Sequence, residues 1–121
     1  MEYKVVITSD AEADLDGFLK YLLLEKRSNQ AATNVLNDFE STKISLAKVA
    51  GSIKLCDNPR LKKLGYRRMN FLSHRYFMLY RIEGDTVIID NILHELQDYE
   101  NNPLPPVPGR SRYASLPPQS E

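Results

Sequence analysis

The sequence lacks the features that would place the protein in a membrane or build a metal centre. It has no apolar run near the roughly 18 residues that a membrane helix needs. Its one cysteine, Cys56, excludes an internal disulfide, and its histidines form no paired metal-ligand pattern. The N-terminal residues have too little apolar length for a secretory signal. These absences predict a protein of the reducing cytoplasm that uses neither a metal nor a cofactor.

Net charge is also absent, but the charges are unevenly distributed. The 121 residues, enough for one compact domain, include 16 Lys and Arg and 16 Asp and Glu. Residues 54–81 nevertheless carry a net charge of +7, and residues 82–102 carry −6. The basic block predicts a local surface for an anionic partner, although a solvated surface loop has the same composition.

Proline marks a boundary near residue 103. Six of the seven prolines lie between Pro103 and Pro118. Such a stretch forms neither helix nor sheet and holds too little apolar material for a core. We therefore expect residues 1–102 to form the folded domain. Residues 103–121 are expected to be a disordered tail, either a docking segment or a non-native extension.

The first half of the domain has the pattern of a strand followed by two helices. Residues 3–8 are β-rich, and Ser9 with Glu12 fits a capping box. Two apolar stripes at helical spacing follow, the second from about Gln30 to a helix stop at Gly51. The stripes are Leu15, Phe18, Leu19, Leu22 and Leu23, then Ala32, Val35, Leu36, Phe39, Leu46 and Ala50. We expect the two helices to form a hairpin.

The second half has the two-residue alternation of β-strands. Residues 66–71, 75–83 and 86–93 are rich in aromatic and β-branched side chains. Gly84-Asp85 fits a two-residue hairpin turn, which would fix the register of the last two strands. With Glu83 opposite Thr86, the turn pairs Arg81 with Ile88, Leu79 with Asp90, Phe77 with Ile92 and Arg75 with His94.

This register sorts the side chains onto two faces of the sheet. The more apolar set should face the helices: Ile82, Tyr80, Met78, Tyr76, Val87, Ile89, Asn91 and Leu93. The other set, with Arg75, Arg81, Asp90 and His94, should lie on an open face. A slip by one residue would invert the assignment.

Six cations should converge on this sheet: Lys62, Lys63, Arg67, Arg68, Arg75 and Arg81. Interleaved tyrosines suit stacking on the bases of single-stranded RNA, unless they belong to the core. His94 is a candidate proton carrier because an imidazole titrates near pH ~6.5, although a lone histidine is more often structural. No nucleophile triad, phosphate loop or metal cluster is present, so any reaction would be metal-free acid–base chemistry.

The chain resembles the RelE/ParE superfamily of toxins, of the plasmid-stabilisation type. The resemblance is carried by the element order and by three runs, LGYRR at 64–68, HRYFMLYR at 74–81 and ILHELQDY at 92–99. It implies an α+β fold of order β-α-α-β-β-β, with a mostly antiparallel sheet and a helical hairpin on one face. It also implies the toxin of a type II toxin–antitoxin module, inhibited by a cognate antitoxin.

The RelE branch of this superfamily cleaves mRNA on the ribosome, where the 2′-OH of the RNA attacks the adjacent phosphate. The resemblance implies site residues for this endoribonuclease reaction. Arg68 and Arg75 would lie over the phosphate with Arg81 in support, His94 would be the acid or base, and Tyr99 would orient the nucleotide. Lys62, Lys63 and Arg67 would bind nucleic acid.

The chain also departs from the nuclease pattern. Phe77 stands where many relatives have an arginine, and the basic strand at 66–71 has no glutamate. The ParE branch, which lacks the nuclease residues and inhibits DNA gyrase through protein contacts, is the alternative. In either case we expect the antitoxin to cover the exposed apolar side chains of the open face, which are Phe77, Leu79, Ile88 and Ile92.

Overall fold

A computed structural model describes residues 2–96 and confirms the predicted α+β fold. In chain order its elements are β1 (Lys4–Ile7), α1 (Ser9–Lys20), a π-helical segment (Tyr21–Glu25), α2 (Asn29–Val49), a 3₁₀ turn (Ala50–Ser52), α3 (Pro59–Lys63), β2 (Arg67–Asn70), β3 (Tyr76–Glu83) and β4 (Thr86–His94). Within residues 2–96, no helix is long and apolar enough to cross a bilayer. The expected tail at 103–121 and Tyr99 lie outside the described residues.

The four strands form one mixed sheet in the order β1-β4-β3-β2. The central strand β3 runs antiparallel to β2 and to β4. In contrast, β1 runs parallel to β4, with Lys4 opposite Thr86 and Ile7 opposite Ile89. The first and last strands of the described chain are therefore neighbours in the sheet.

The first helix begins one residue earlier than the sequence predicts. Thr8, not Ser9, is the N-cap, since its side-chain oxygen accepts a hydrogen bond from the Ala11 N–H at 3.1 Å. Thr8 has the extended backbone that a cap requires, because β1 ends at the residue before it. Ser9 is already helical and cannot fill this role.

The apolar stripes of the two helices are confirmed in part. Leu15, Phe39 and Leu46 are buried. Leu23 and Leu36 are exposed by 40% and 39%, contrary to expectation. Leu23 falls in the π-helical segment, whose wider turn changes which side chains share a face.

Gly51 follows α2 as expected, but its role differs from that of a left-handed helix stop. It lies within the 3₁₀ turn, after α2 has ended at Val49. A Cβ at this position would overlap the hydroxyl of Tyr3. Glycine is therefore required by the close approach of the tyrosine.

The hairpin between β3 and β4 begins in the predicted register and then departs from it. Glu83 faces Thr86 across the turn, where Gly84 has φ +62°, and Arg81 faces Ile88. A β-bulge follows, which leaves Asp90 without a partner in the pairing of these two strands. The expected pairs beyond it are wrong: the structure pairs Leu79 with Asn91, Phe77 with Leu93 and Tyr76 with His94.

The bulge exchanges the faces of the residues at the end of β4. Ile92 packs under the helices and Leu93 packs on the opposite face, the reverse of the prediction. The sequence predicts His94 on the open face, but its ring meets the Tyr76 ring edge-on, with centroids 5.1 Å apart. Asp14 of α1 holds the shifted strand by accepting a hydrogen bond from the Ile92 N–H at 3.1 Å.

Apolar clusters lie on both faces of the sheet. The larger one lies between sheet and helices and includes Leu15, Val35, Phe39, Leu46, Met78, Tyr80, Val87 and Ile89. The smaller one joins Cys56, Leu61 and Tyr66 to Leu79 on the face that the sequence predicts to be open. The connection at 53–66 therefore folds back over this second face.

This covering overturns the expected apolar surface for the antitoxin. Phe77, Leu79 and Ile92 are at most 1% exposed, and Ile88 is half-buried. Phe77 and Leu79 lie on the second face, and Ile92 lies under the helices because of the bulge. These three side chains stabilise the folded domain itself.

Tyr80 makes the stability of the fold sensitive to alkaline pH. Its hydroxyl donates a buried hydrogen bond to the Ala50 carbonyl at 2.9 Å, and burial raises the pKa of Tyr80 above its ordinary value. Because the folded-state pKa is the higher one, this contribution to stability is present below pH ~10 and is lost as the pH rises further.

We therefore expect the Tyr80→Phe variant to lose about 1 kcal/mol of stability at pH 7. It should also show a smaller further loss than the wild type between pH 9 and pH 11. Urea titrations at several pH values measure both effects, with Tyr21→Phe, whose ring is half exposed, as the matched control. Equal alkaline losses in wild type and Tyr80→Phe would contradict the assignment.

Candidate functional site

The predicted site residues do not form one cluster in the structure. They lie on both faces of the sheet and on the α3 connection, and several of them make intramolecular contacts that stabilise the fold. Tyr99 lies outside the described residues.

Arg67 joins the sheet to the end of α2. One nitrogen of its guanidinium donates to the carbonyls of Ala50 and Gly51, both at 3.2 Å. Arg67 lies opposite Tyr80 on β3, whose hydroxyl donates to the same Ala50 carbonyl. A cation beside the terminal carbonyls of a helix is favourable. The predicted nucleic-acid contact of Arg67 therefore competes with an observed structural one.

Arg81 is part of a largely buried polar network on the second face. Its Nε donates to an Asp90 carboxylate oxygen at 2.7 Å, and that oxygen also accepts from the Tyr66 hydroxyl at 2.8 Å. The guanidinium also forms an ion pair with Glu83. Burial acts to lower the pKa of Arg81, but the hydrogen bond and charge of Asp90 outweigh it, so the pKa rises. Two carboxylates therefore neutralise the positive charge of Arg81, which would otherwise attract a phosphate.

Arg75 and His94 are not opposite each other. The Arg75 side chain is 74% exposed, with Nε 3.5 Å from the Glu95 carboxylate. The His94 ring contacts Tyr76, which packs against Phe18 of α1 with centroids 4.8 Å apart. Arg75 lies in the bend that precedes β3, and its backbone carbonyl accepts a hydrogen bond from the Glu95 N–H at 2.8 Å. The imidazole therefore lies on the helical side of the sheet, opposite Tyr76 and not opposite Arg75.

Arg68 is held in a fixed plane on the second face. Its guanidinium lies over the buried Phe77 ring, 3.7 Å from the ring centroid. Its Nε donates to the Asn70 side-chain oxygen at 3.0 Å. A guanidinium that is stacked and hydrogen bonded loses little entropy when it binds a planar anion. Arg68 is therefore the best-positioned of the predicted anion-binding residues.

Arg60, Lys62 and Lys63 form a basic ridge on α3. The helix is fixed by the Asn58 cap, which accepts from the Arg60 N–H at 2.9 Å, and by Leu61, which is 2% exposed. Because Leu61 points into the second-face cluster, its neighbours point outward and are exposed. Within residues 2–96 these three cations form no ion pair.

The structure adds a polar cluster that sequence reasoning missed. Asp38 of α2 accepts hydrogen bonds from the Ser73 N–H at 3.0 Å and from His74 Nδ1 at 2.6 Å. Thr42, one turn later, accepts from the Leu72 N–H at 3.1 Å. These contacts fasten the loop between β2 and β3 to α2. The sequence does hold one sign of this cluster, because Asp38 and Thr42 are polar residues within the apolar stripe of the second helix.

Comparison with known proteins identifies relatives of this fold. Residues 5–99 match the family model described as ParE toxin of type II toxin-antitoxin system, parDE. A solved structure described as the chromosomal ParDE TA system from P. aeruginosa superposes with a TM-score of 0.61. The two chains are 21% identical, and the match covers 77% of this chain and 96% of that one. No curated protein is significantly similar in sequence.

Proposed function

Because this chain belongs to the ParE toxin family of type II toxin–antitoxin systems, we propose that it inhibits DNA gyrase through protein contacts and does not cleave RNA. As a toxin of this type, it has a cognate antitoxin as its partner. Gyrase inhibition requires a binding surface and no acid–base pair. It would take place in the cytoplasm, where the chromosome and its topoisomerases are located.

The dispersal of the predicted nuclease residues is the observation that most supports this proposal. Attack by a 2′-OH needs a base, an acid and a cation around the same phosphate, each within hydrogen-bond reach. His94 lies on the helical side of the sheet, whereas Arg68 lies on the second face. Arg81 is neutralised by Asp90 and Glu83. The candidate base and the best-positioned arginine are thus on different faces of the sheet.

The competing function, mRNA cleavage on the ribosome, has the basic block in its favour. Arg68 and the basic ridge could hold an RNA backbone, as proposed for Lys62 and Lys63 from the sequence. Positive charge alone, however, gives binding without chemistry. It supports a protein or nucleic-acid contact equally well, so it does not favour the nuclease.

We expect Arg75→Ala and His94→Ala to keep full growth arrest when the toxin is induced without antitoxin. Arg75 pairs with Glu95 and the His94 ring packs against Tyr76, so the two are not the opposed pair that the nuclease hypothesis requires. Purified toxin should produce gyrase-linked breaks in plasmid DNA, and primer extension should find the transcripts intact. Circular dichroism of both variants controls for folding.

Three results would overturn the proposal. The first is discrete in-frame cuts in translated mRNA, combined with loss of arrest in both variants. The second is growth arrest without gyrase-linked DNA breaks. The third is no growth arrest on induction of the wild type, the result expected of a binding module that has lost toxicity.

A further inference from the structure

The basic ridge and Arg68 lie on the same face of the molecule. Leu61, at the centre of the ridge, belongs to the second-face cluster together with Leu79. Leu79 is paired directly with Arg68 across the β2–β3 ladder. Three exposed cations and one fixed guanidinium therefore lie on the same side of the sheet.

The backbone of the ridge and the plane of Arg68 are fixed before any partner binds. The α3 backbone is fixed by the Asn58 cap, by Pro59 in the first turn and by buried Leu61. The plane of Arg68 is fixed by Phe77. A guanidinium held in this way loses little conformational entropy on binding, which favours recognition of a planar anionic group.

The distribution of charge favours a short anionic segment over a long polyanion. The protein has no net charge, so its overall field does not attract a long polyanion. Carboxylates, in contrast, pair in two-pronged geometry with a planar guanidinium such as that of Arg68. A few carboxylates on a protein segment would neutralise the positive charge of the ridge and of Arg68.

We propose that Arg60, Lys62, Lys63 and Arg68 form a docking surface for an acidic segment of the antitoxin. The proposal rests on the toxin function proposed above, since the antitoxin is the partner, but it does not depend on which target the toxin attacks. The ridge carries net charge that the described chain leaves unneutralised, and a carboxylate-rich segment neutralises it. Exposed charges of this kind act mainly by accelerating association.

The test compares two double variants with the same change in net charge. Lys62→Glu with Lys63→Glu reverses the ridge, and Lys4→Glu with Lys48→Glu reverses two exposed lysines elsewhere on the surface. Full-length toxin is titrated with the antitoxin encoded beside it, by stopped-flow fluorescence at low and high salt. We expect Kd to rise about 10-fold for the ridge variant, mostly through slower association, and about 2-fold or less for the control.

The outcomes separate this inference from the gyrase proposal. A ridge variant with weakened antitoxin binding that still causes gyrase-linked DNA breaks supports the docking surface. The same weakened binding in a toxin that never acts on gyrase also supports it, while removing the gyrase proposal. Equal antitoxin affinities of the ridge and control variants overturn it. So does a ridge reversal that abolishes binding to a 20-base-pair DNA duplex or to gyrase and leaves antitoxin binding intact.

Discussion

Replacing Asp90 with alanine is expected to lower the free energy of unfolding by about 3 kcal/mol. Asp90 is buried, and one of its oxygens accepts hydrogen bonds from Arg81 at 2.7 Å and Tyr66 at 2.8 Å. Without it, Arg81, whose side chain is only 13% exposed, keeps its ion pair with Glu83 but loses the acceptor of its Nε, and the buried Tyr66 hydroxyl loses this acceptor as well. Removing one partner from a buried charged network costs more than replacing the whole pair by apolar residues.

Urea denaturation followed by far-ultraviolet circular dichroism measures this loss. Asp57→Ala is the matched control, because the Asp57 side chain, which pairs with Lys54, is 83% exposed. Its loss should lower the free energy of unfolding by less than about 0.5 kcal/mol. The double variant Arg81→Met with Asp90→Leu should recover at least half of the loss. A loss below about 1 kcal/mol in Asp90→Ala would show that the network contributes little.

Asp38→Ala is expected to cost about 3 kcal/mol and to release the loop between β2 and β3. The Asp38 carboxylate is 4% exposed and accepts from the Ser73 N–H and from His74. Alanine would leave both donors without this acceptor and would leave a gap where the buried carboxylate was. Hydrogen exchange should therefore accelerate at the amides of Leu72 and Ser73, whereas the amides of β3 stay protected.

Two variants sharpen this test. Asp38→Asn keeps one oxygen that can accept from the Ser73 N–H, so its loss of stability should be smaller. Glu40→Ala removes a half-exposed carboxylate from the same helix and should change little. If Leu72 and Ser73 remain as protected in Asp38→Ala as in the wild type, the loop is held by other contacts.

The parts of the fold that could be predicted are those set by neighbouring residues. The Gly84-Asp85 turn determines the residue pairs nearest to it, such as Glu83 with Thr86, because a two-residue turn allows only one alignment of the strands that it joins. The apolar stripes likewise indicated which residues of α1 and α2 face the sheet. In both cases the information lies within a few residues of the sequence.

The bulge at Asp90 could not be predicted in this way. It depends on contacts from Arg81, Tyr66 and Asp14, which approach β4 from three other places in the chain. Since side chains alternate with a period of two, one extra residue reverses every face assignment beyond it. The expected opposition of Arg75 and His94 failed for this reason alone.

The candidate site was partly predictable for a similar reason. The basic block correctly indicated exposed cations at Lys62 and Lys63. It did not indicate that Arg67 and Arg81 would be bound by carbonyl and carboxylate groups of the protein itself. The apolar residues at 53–66 follow no regular period, so their packing over the second face depends on tertiary contacts that the sequence pattern does not contain.

The parallel pairing of β1 with β4 determines when the toxin can fold during translation. Lys4 and Thr86 are neighbours in the sheet, but the ribosome must synthesise everything between them before they can meet. Such long-range closure is slow, and it comes last in a chain made from its N-terminus. A chain that ends before β4 leaves its first strand without this partner. The complete sheet therefore forms only after residue 94 has emerged from the ribosome.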